Sequence, residues 1–364
     1  MIKIAHILGG WSVNIGNAFF QLGGLYAINK VMPASQTILI GEKPGYPSYW
    51  NREGGNPTNY FDWGDYLDID YLVMMGPIFR PEIKSIWDSS LSKMMAKGTK
   101  LILLGMGMMD YDKESVGKYR EFLKQYRPYI FVSRDNETFE KLSDLAESSY
   151  NGIDFGFFIS DVYNPVGISG EKGKRIILNF DKMPEPKISI SSSPLVFSDY
   201  DFSFTLDNKW WGGRFSKIRK RLSETSRYFM FLEGLFPGNG THHIQDYEVL
   251  RTDHRPHPLF RRKTYRYPNM MVNDVPYSYL ELYSSAFFTL SNRVHACVAA
   301  LSYGNNAMLF SKSPRSKLME RLGLGNIIYK PVNLNREFIA KEKGDLLKYL
   351  TERLAKKEII KRKC

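Results

Sequence analysis

Cysteine is scarce, with Cys297 and Cys364 the only two in 364 residues. One falls inside an apolar run and the other is the last residue, so neither a disulfide framework nor a thiolate zinc site is expected. A reducing compartment fits best. No run of about 18 or more apolar residues occurs, so no transmembrane helix is expected. The opening MIKIAHILGG holds a lysine but no long apolar stretch and no small-residue cleavage site. It reads as a first strand rather than a signal peptide. Internal repeats and low-complexity tracts are missing. Negative charge is the minority sign, 38 Asp and Glu against 50 Lys and Arg, which leaves +12 net. That balance favours anionic partners: phosphorylated metabolites, nucleic acid or an anionic membrane surface. Helix-turn-helix, RNP and zinc-finger patterns are absent, so nucleic acid is not the expected partner.

What is present is α/β material in quantity. Hydrophobic residues make up 43% and aromatic residues 14%, enough for real cores, and the length predicts two domains. Short apolar runs at 3–8, 37–40, 70–75, 100–105 and 129–133 read as strands buried on both faces. Helical patterns lie between them, with Ile15, Ala18, Phe19 and Leu22 in the first and further ones near 82–96, 114–126 and 136–147. This is βαβ alternation. A long loop rich in Gly, Pro and aromatics covers 41–65, and loops of that length are functional or mobile. After a break near 164–175, strands are predicted at 175–180, 200–206, 227–234, 287–290, 307–310 and 326–329. The last segment, 341–364, reads as a basic, partly amphipathic helix. The expected organisation is an N-terminal α/β domain over 1–165, a second over 172–335 and a C-terminal helix over 336–364 that packs back on the first. Two Rossmann-like domains would then face a cleft with their strand-to-helix loops.

The segment AFFTLSNRVHACVAALSYGNNAMLF (286–310) reads as strand, helix, strand. Ser291 or Asn292 is placed to cap the helix. Val294, Cys297, Val298 and Leu301 form its core-facing stripe, and Gly304 ends it. Arg293 and His295 are left at the helix mouth, where free amides and the positive dipole end make an anion site. The alternative is an Arg293 that pairs with a surface carboxylate and an incidental His295. Cys297 does not pair with His295 as a nucleophile, because i and i+2 do not face each other on a helix. A second concentration lies in 241–268, with His242, His243, His254, His257, Asp246 and Asp253 among several arginines. If that segment is helical, His243 and Asp246 are one turn apart, but the spacing matches no zinc signature. A loop lining an acceptor or phosphate pocket, a basic surface touching anionic lipid and a polar insertion without a ligand all remain open.

Residues 291–324, SNRVHACVAALSYGNNAMLFSKSPRSKLMERLGL, resemble the C-terminal signature of the polysaccharide pyruvyl transferase family. That signature is a Ser-x-Arg-Leu-His motif, a small-residue helix ending in Gly, a short strand, a Lys and a Leu-Gly-Leu end. The matching residues are Ser291, Arg293, Val294 in place of Leu, His295, Gly304, Lys317 and Leu322-Gly323-Leu324. SVNIGNAFF (12–20) is similar to the family's opening Asn-x-Gly-Asp, with Asn17 where Asp is usual. DIDYLVMMGP (68–77) keeps only Gly76 of a Gly-rich turn. LLGMGM (103–108) and VSRDNETFEKL (132–142) fit more closely.

The resemblance implies a GT-B-like fold and transfer of pyruvate from phosphoenolpyruvate to two hydroxyls of a sugar as a cyclic ketal. The sugar belongs to a surface polymer or its lipid-linked precursor. In that frame His295 is the acid or base, Arg293 grips an anionic group of the donor, and Ser291, Asn292 and Lys317 complete the donor side. Asn14, Gly16, Asn17, His242, His243 and Asp246 are the expected acceptor side. Arg134 and Asp135 are read as a structural pair. No metal or cofactor is required. The expected setting is cytoplasmic, with peripheral contact at the inner face of the membrane through the basic C-terminal helix. The alternative is a GT-B glycosyltransferase that takes a nucleotide sugar.

Overall fold

The computed structural model describes residues 1–41, 62–76, 78–81, 83–168, 173–181, 183–194, 200–225, 229–236, 240–256 and 262–361. The chain begins β1 (Lys3–Leu8), α1 (Gly16–Val31), β2 (Gln36–Gly41), α2 (Trp63–Tyr66), β3 (Tyr71–Met75) and α3 (Ile83–Ala96). It continues β4 (Lys100–Met106), α4 (Lys113–Tyr126), β5 (Ile130–Ser133), α5 (Asn136–Leu142) and β6 (Ser149–Asn151). These six strands make one parallel sheet in the order β2-β1-β3-β4-β5-β6. All of β3 and β5 is buried, as apolar runs covered by helices on both faces require. Most of the long loop expected at 41–65 lies outside the described residues.

A 3-10 turn (Phe155–Phe158) and α6 (Ile159–Val162) lead to β7 (Arg175–Asn179). Then follow β8 (Lys187–Ser191), β9 (Phe202–Leu206), β10 (Lys209–Arg214), α7 (Lys217–Thr225), α8 (Phe229–Leu232), β11 (His243–Ile244), β12 (Tyr247–Thr252) and β13 (Met270–Met271). The chain closes with α9 (Pro276–Ser285), β14 (Phe288–Ser291), α10 (Val294–Ser302), β15 (Asn306–Leu309), α11 (Lys317–Glu320) and α12 (Arg336–Lys361). The second sheet runs β11-β12-β7-β14-β15, parallel apart from the β11–β12 hairpin. The chain thus has two Rossmann-like α/β units, as its alternation predicts.

The middle of the chain departs from expectation. Residues 202–206 join β8 and β10 in a separate antiparallel sheet, β8-β10-β9. Residues 229–235 are helical rather than extended, and 325–328 form a 3-10 turn. Aromatic-rich runs of this length satisfy strand and buried-helix patterns equally, and here packing decides.

Helix α1 ties the units together. One face packs on its own sheet and on Phe155 and Phe158. The other face puts Ile15, Ala18, Phe19 and Leu22 against Ile177, Tyr279, Leu280, Tyr283, Ala296 and Ala299 of the second unit. A helix buried on two sides needs apolar residues all round. A Cβ at Gly23 would overlap the carbonyl oxygen of Phe155, so no larger residue fits there. Helix α12 buries Leu346, Leu350 and Leu354. Its Arg353 carbonyl accepts from Tyr129 Oη at 2.7 Å and its Tyr349 meets Ser148 at 2.6 Å, which places it against the first sheet. Among the described residues no helix is long and apolar enough to cross a membrane.

Candidate functional site

In each sheet the earliest strand has later strands on both sides, β1 between β2 and β3, and β7 between β12 and β14. Ligands of open α/β sheets bind beyond the carboxyl ends of strands at such reversals. A pocket lies where the two sets of carboxyl ends meet. Asn14 and Gly16 reach it after β1, His254 after β12, Asn292 to His295 after β14, and Ser311, Ser313 and Arg315 after β15.

Two helix N-termini converge on it, and among the described residues neither has a side-chain cap. Ile15 precedes α1 and Arg293 precedes α10, and the side chain of neither accepts from its helix. The expectation that Ser291 or Asn292 caps α10 is therefore corrected. Ser291 Oγ accepts from the Arg293 amide at 2.8 Å, and Asn292 Oδ1 accepts from the Asp181 amide at 3.4 Å. Both side chains shape the loop before the helix and leave the helix mouth open. Gly16 is needed for closeness: a Cβ there would lie 3.2 Å from His254 Nδ1 and 3.3 Å from His295 Cβ.

Guanidinium groups dominate the charge. Arg293 donates from Nε to both oxygens of Asp181 at 2.6 Å, and among the described residues its two terminal nitrogens have no partner. Arg315, half-buried, has only Met109 Sδ, 3.5 Å from Nη2, as a hydrogen-bond partner among the described residues. Burial, then the nearby Arg134, Arg293, Arg80 and Arg255, push Arg315 down to about 10. It remains a cation at neutral pH. A half-buried cation ringed by cations, with no carboxylate on it among the described residues, is costly, and an anionic ligand with several charges removes that cost.

Two histidines line the pocket, both buried. His295 approaches Asp154 with Nε2, 3.4 Å from Oδ2, and Phe20 packs on its ring at 5.1 Å. Burial lowers its pKa, with Asp154 pulling the other way, so the free site holds a neutral imidazole. Asp154 is fully buried. Desolvation alone would raise it, but His295 and Arg134 hold it well below the usual carboxylate range. It accepts from Arg134 Nη1 at 2.7 Å and from the Gly156 amide at 2.8 Å. Arg134 therefore pairs with Asp154 and not with Asp135, which caps α5 by accepting from the Thr138 amide and hydroxyl at 2.8 Å. His254 binds Tyr283 Oη through Nε2 at 2.6 Å, and burial together with Arg293 keeps it neutral.

Sequence reasoning brought Arg293, His295, Asn292, Asn14 and Gly16 to one place. Asn17 sits behind Asn14, whose amide donates to it at 2.9 Å. Lys317 does not line the pocket. It pairs with Glu137 of the first unit and lies over the Tyr111 ring at 3.9 Å. His242, His243 and Asp246 are exposed on the β11–β12 hairpin, with Asp246 held by Lys209 at 3.0 Å. That segment is extended, so His243 and Asp246 do not share a helical turn. No group of three metal-type side chains occurs among the described residues. His242, His243 and Asp246 lie outside this pocket, which their segment reaches through His254. Asp154 and Arg315 were missed. Their signals are an acid directly before the buried run FGFF and an arginine set between serines after a strand.

The profile of the polysaccharide pyruvyl transferase family matches residues 14–311, from the first pocket residue, Asn14, to Ser311. The chain belongs to this family. No curated protein sequence gives a significant match. Among solved structures, this pyruvyl transferase family member is similar to Staphylococcus aureus MnaA bound to UDP, at 10% identity, TM-score 0.49, 97% of this chain and 91% of that one. It is also similar to a putative UDP-N-acetylglucosamine 2-epimerase from Listeria monocytogenes, at 9% identity, TM-score 0.48, 97% and 90% coverage. The glycotransferase of kitacinnamycin follows at 9% identity and TM-score 0.39, with 97% and 92% coverage.

Proposed function

We propose that this protein transfers the pyruvyl group of phosphoenolpyruvate to a sugar of a cell-surface polysaccharide or its lipid-linked precursor, and that the pocket between α1 and α10 is the donor site. The single observation that carries the reading is Arg315, a half-buried cation among cations with no carboxylate on it among the described residues, beside two uncapped helix ends. Phosphoenolpyruvate brings a phosphate and a carboxylate on a small skeleton. The helix amides and Arg315 suit one group, and the terminal nitrogens of Arg293 form a planar fork for the other.

The chemistry needs two hydroxyl protons moved. One ends on the methylene carbon, which becomes a methyl, and the other leaves with phosphate as both sugar oxygens bond to the former C2. Neutral His295 suits the first transfer. With Nε2 toward Asp154, its other ring nitrogen is available to accept a hydroxyl proton and hand it to the methylene. The resulting imidazolium is stabilised by Asp154, as a carboxylate stabilises the histidine of a triad. The residues require no metal or cofactor for these steps. The setting this implies is the cytoplasmic face of the membrane, where a lipid-linked acceptor is accessible.

The test is carbon-13 transfer. Phosphoenolpyruvate labelled at C2 is incubated with the protein and a lipid-linked oligosaccharide fraction, and NMR follows the labelled carbon. A ketal carbon on the saccharide, with phosphate released in step, is the expected result. Unchanged phosphoenolpyruvate together with glycosyl transfer from a nucleotide sugar would overturn the reading.

A further inference from the structure

Helix α7 is inverted relative to a helix that packs on a core. Ile218 and Leu222 lie one turn apart on one face, and that face points outward, with Ile218 74% exposed and Leu222 38%. Its contacts with neighbouring segments include polar ones. Arg219 donates from Nε and Nη2 to the two oxygens of Glu233 at 2.6 and 2.7 Å, and Lys220 sits over the Phe215 ring at 5.7 Å. Glu233 opens the 3-10 turn Glu233–Leu235, so the ion pair pins α7 to a second apolar projection. There Leu235 is 70% and Phe236 65% exposed, with Leu232 beside them at 56%. Scattered exposed apolar residues need no explanation, but five grouped within 218–236 do.

Charge selects the partner. The described residues of this surface carry Lys217, Arg219, Lys220 and Arg221 against Glu233. On a helical wheel Lys217 and Arg221 border the Ile218–Leu222 stripe. A second copy docked through the same patch by a two-fold axis would set these cations against their own images. An anionic bilayer satisfies both features at once. The apolar tips enter the boundary between headgroups and acyl chains while the flanking cations meet lipid phosphates. We infer that α7 and the 232–236 turn form the surface by which this protein docks on anionic membranes. The inference deepens the reading of a membrane-borne acceptor and rests on it for its purpose, although docking itself needs neither donor nor acceptor.

Vesicle flotation of the full chain tests it, with phosphatidylcholine alone and with phosphatidylglycerol added. Wild type is expected to float with the anionic vesicles, to stay down with the neutral ones, and to detach as salt rises. Ile218→Glu combined with Leu235→Glu is expected to weaken flotation about tenfold or more. Lys217→Glu is expected to weaken it less and to flatten the salt dependence. Thermal stabilisation by phosphoenolpyruvate, measured on the same preparations, shows that the variants are folded and reports on the donor site separately. Wild type that gains stability from phosphoenolpyruvate yet never floats would overturn the docking surface and leave the donor reading standing. A double variant that floats like wild type would overturn it by moving the contact elsewhere. Concentration-dependent self-association lost in the double variant, without vesicle binding, would replace the membrane with a second copy.

Discussion

The carboxylate of Asp154 lies 3.4 Å from Nε2 of His295, although 141 positions separate them in sequence. The same oxygen accepts from Arg134, so one buried acid connects the first sheet to the mouth of α10. Removing its charge while keeping its shape isolates this connection. In Asp154→Asn, His295 loses the group that raises its pKa against burial. The acid limb of the pH profile of kcat/KM is expected to move to lower pH. The plateau is expected to fall about tenfold to a hundredfold, less than the loss from removing an acid–base group outright. An unmoved limb would show that His295 is not the titrating base.

Arg315 should affect stability and binding in opposite directions. Arg315→Met removes a half-buried cation from a ring of cations and fills the space with a flexible apolar chain. The unliganded variant is expected to melt higher, by on the order of 1 kcal/mol of stability, while stabilisation by phosphoenolpyruvate largely disappears. Such opposition is what a strained binding site shows. Paired thermal melts with and without ligand check it.

Gly16→Ala tests how closely the helix end approaches the histidines. The added carbon would sit 3.2 Å from His254 Nδ1, 3.3 Å from His295 Cβ and 3.4 Å from Asn14 Oδ1. Donor KM is expected to rise several-fold with little loss of stability, because Ala favours the helix. Gly23→Ala, in the same helix, would strike the Phe155 carbonyl. It is expected to cost about 1–3 kcal/mol of stability. Steady-state kinetics and denaturant unfolding separate the two.

Acid stability should turn on His6. It is buried in β1 with no hydrogen-bond partner for either ring nitrogen among the described residues, and burial pulls its pKa down to about 4. In the unfolded chain it protonates near 6.5, so between about pH 6.5 and 4 the unfolded state binds the extra proton. Stability therefore falls as pH falls through that window. The loss from His6 approaches about 3 kcal/mol at the lower end. His6→Leu is expected to remove that share, flattening the pH dependence of unfolding measured in urea.

The first sheet was legible because β3, β4 and β5 are buried on both faces and leave unbroken apolar runs. The β14–α10 unit was legible for the same reason, and its polar residues stood out as those off the apolar stripe. Residues 180–285 were not. The antiparallel insert β8-β10-β9 stacks aromatics such as Phe202, Phe204 and Trp211 against the second sheet, a pattern shared by strands and short buried helices. Within the site, Arg293 and His295 could be found by position on one helix. Asp154 and Arg315 acquire meaning only from distant partners, which no local spacing records. Lys317 shows the converse, since its sequence neighbourhood is right but Glu137 draws its ammonium away from the pocket.

The central claim is that the pocket between α1 and α10 holds phosphoenolpyruvate, and calorimetric titration tests it most directly. Phosphoenolpyruvate and a uridine diphosphate sugar would each be titrated into wild type and Arg315→Met. The account expects one site for phosphoenolpyruvate in wild type, at least tenfold weaker in the variant (about 1.4 kcal/mol or more), and no competition by the nucleotide sugar. Binding of the nucleotide sugar alone, or phosphoenolpyruvate binding indifferent to Arg315, would contradict it.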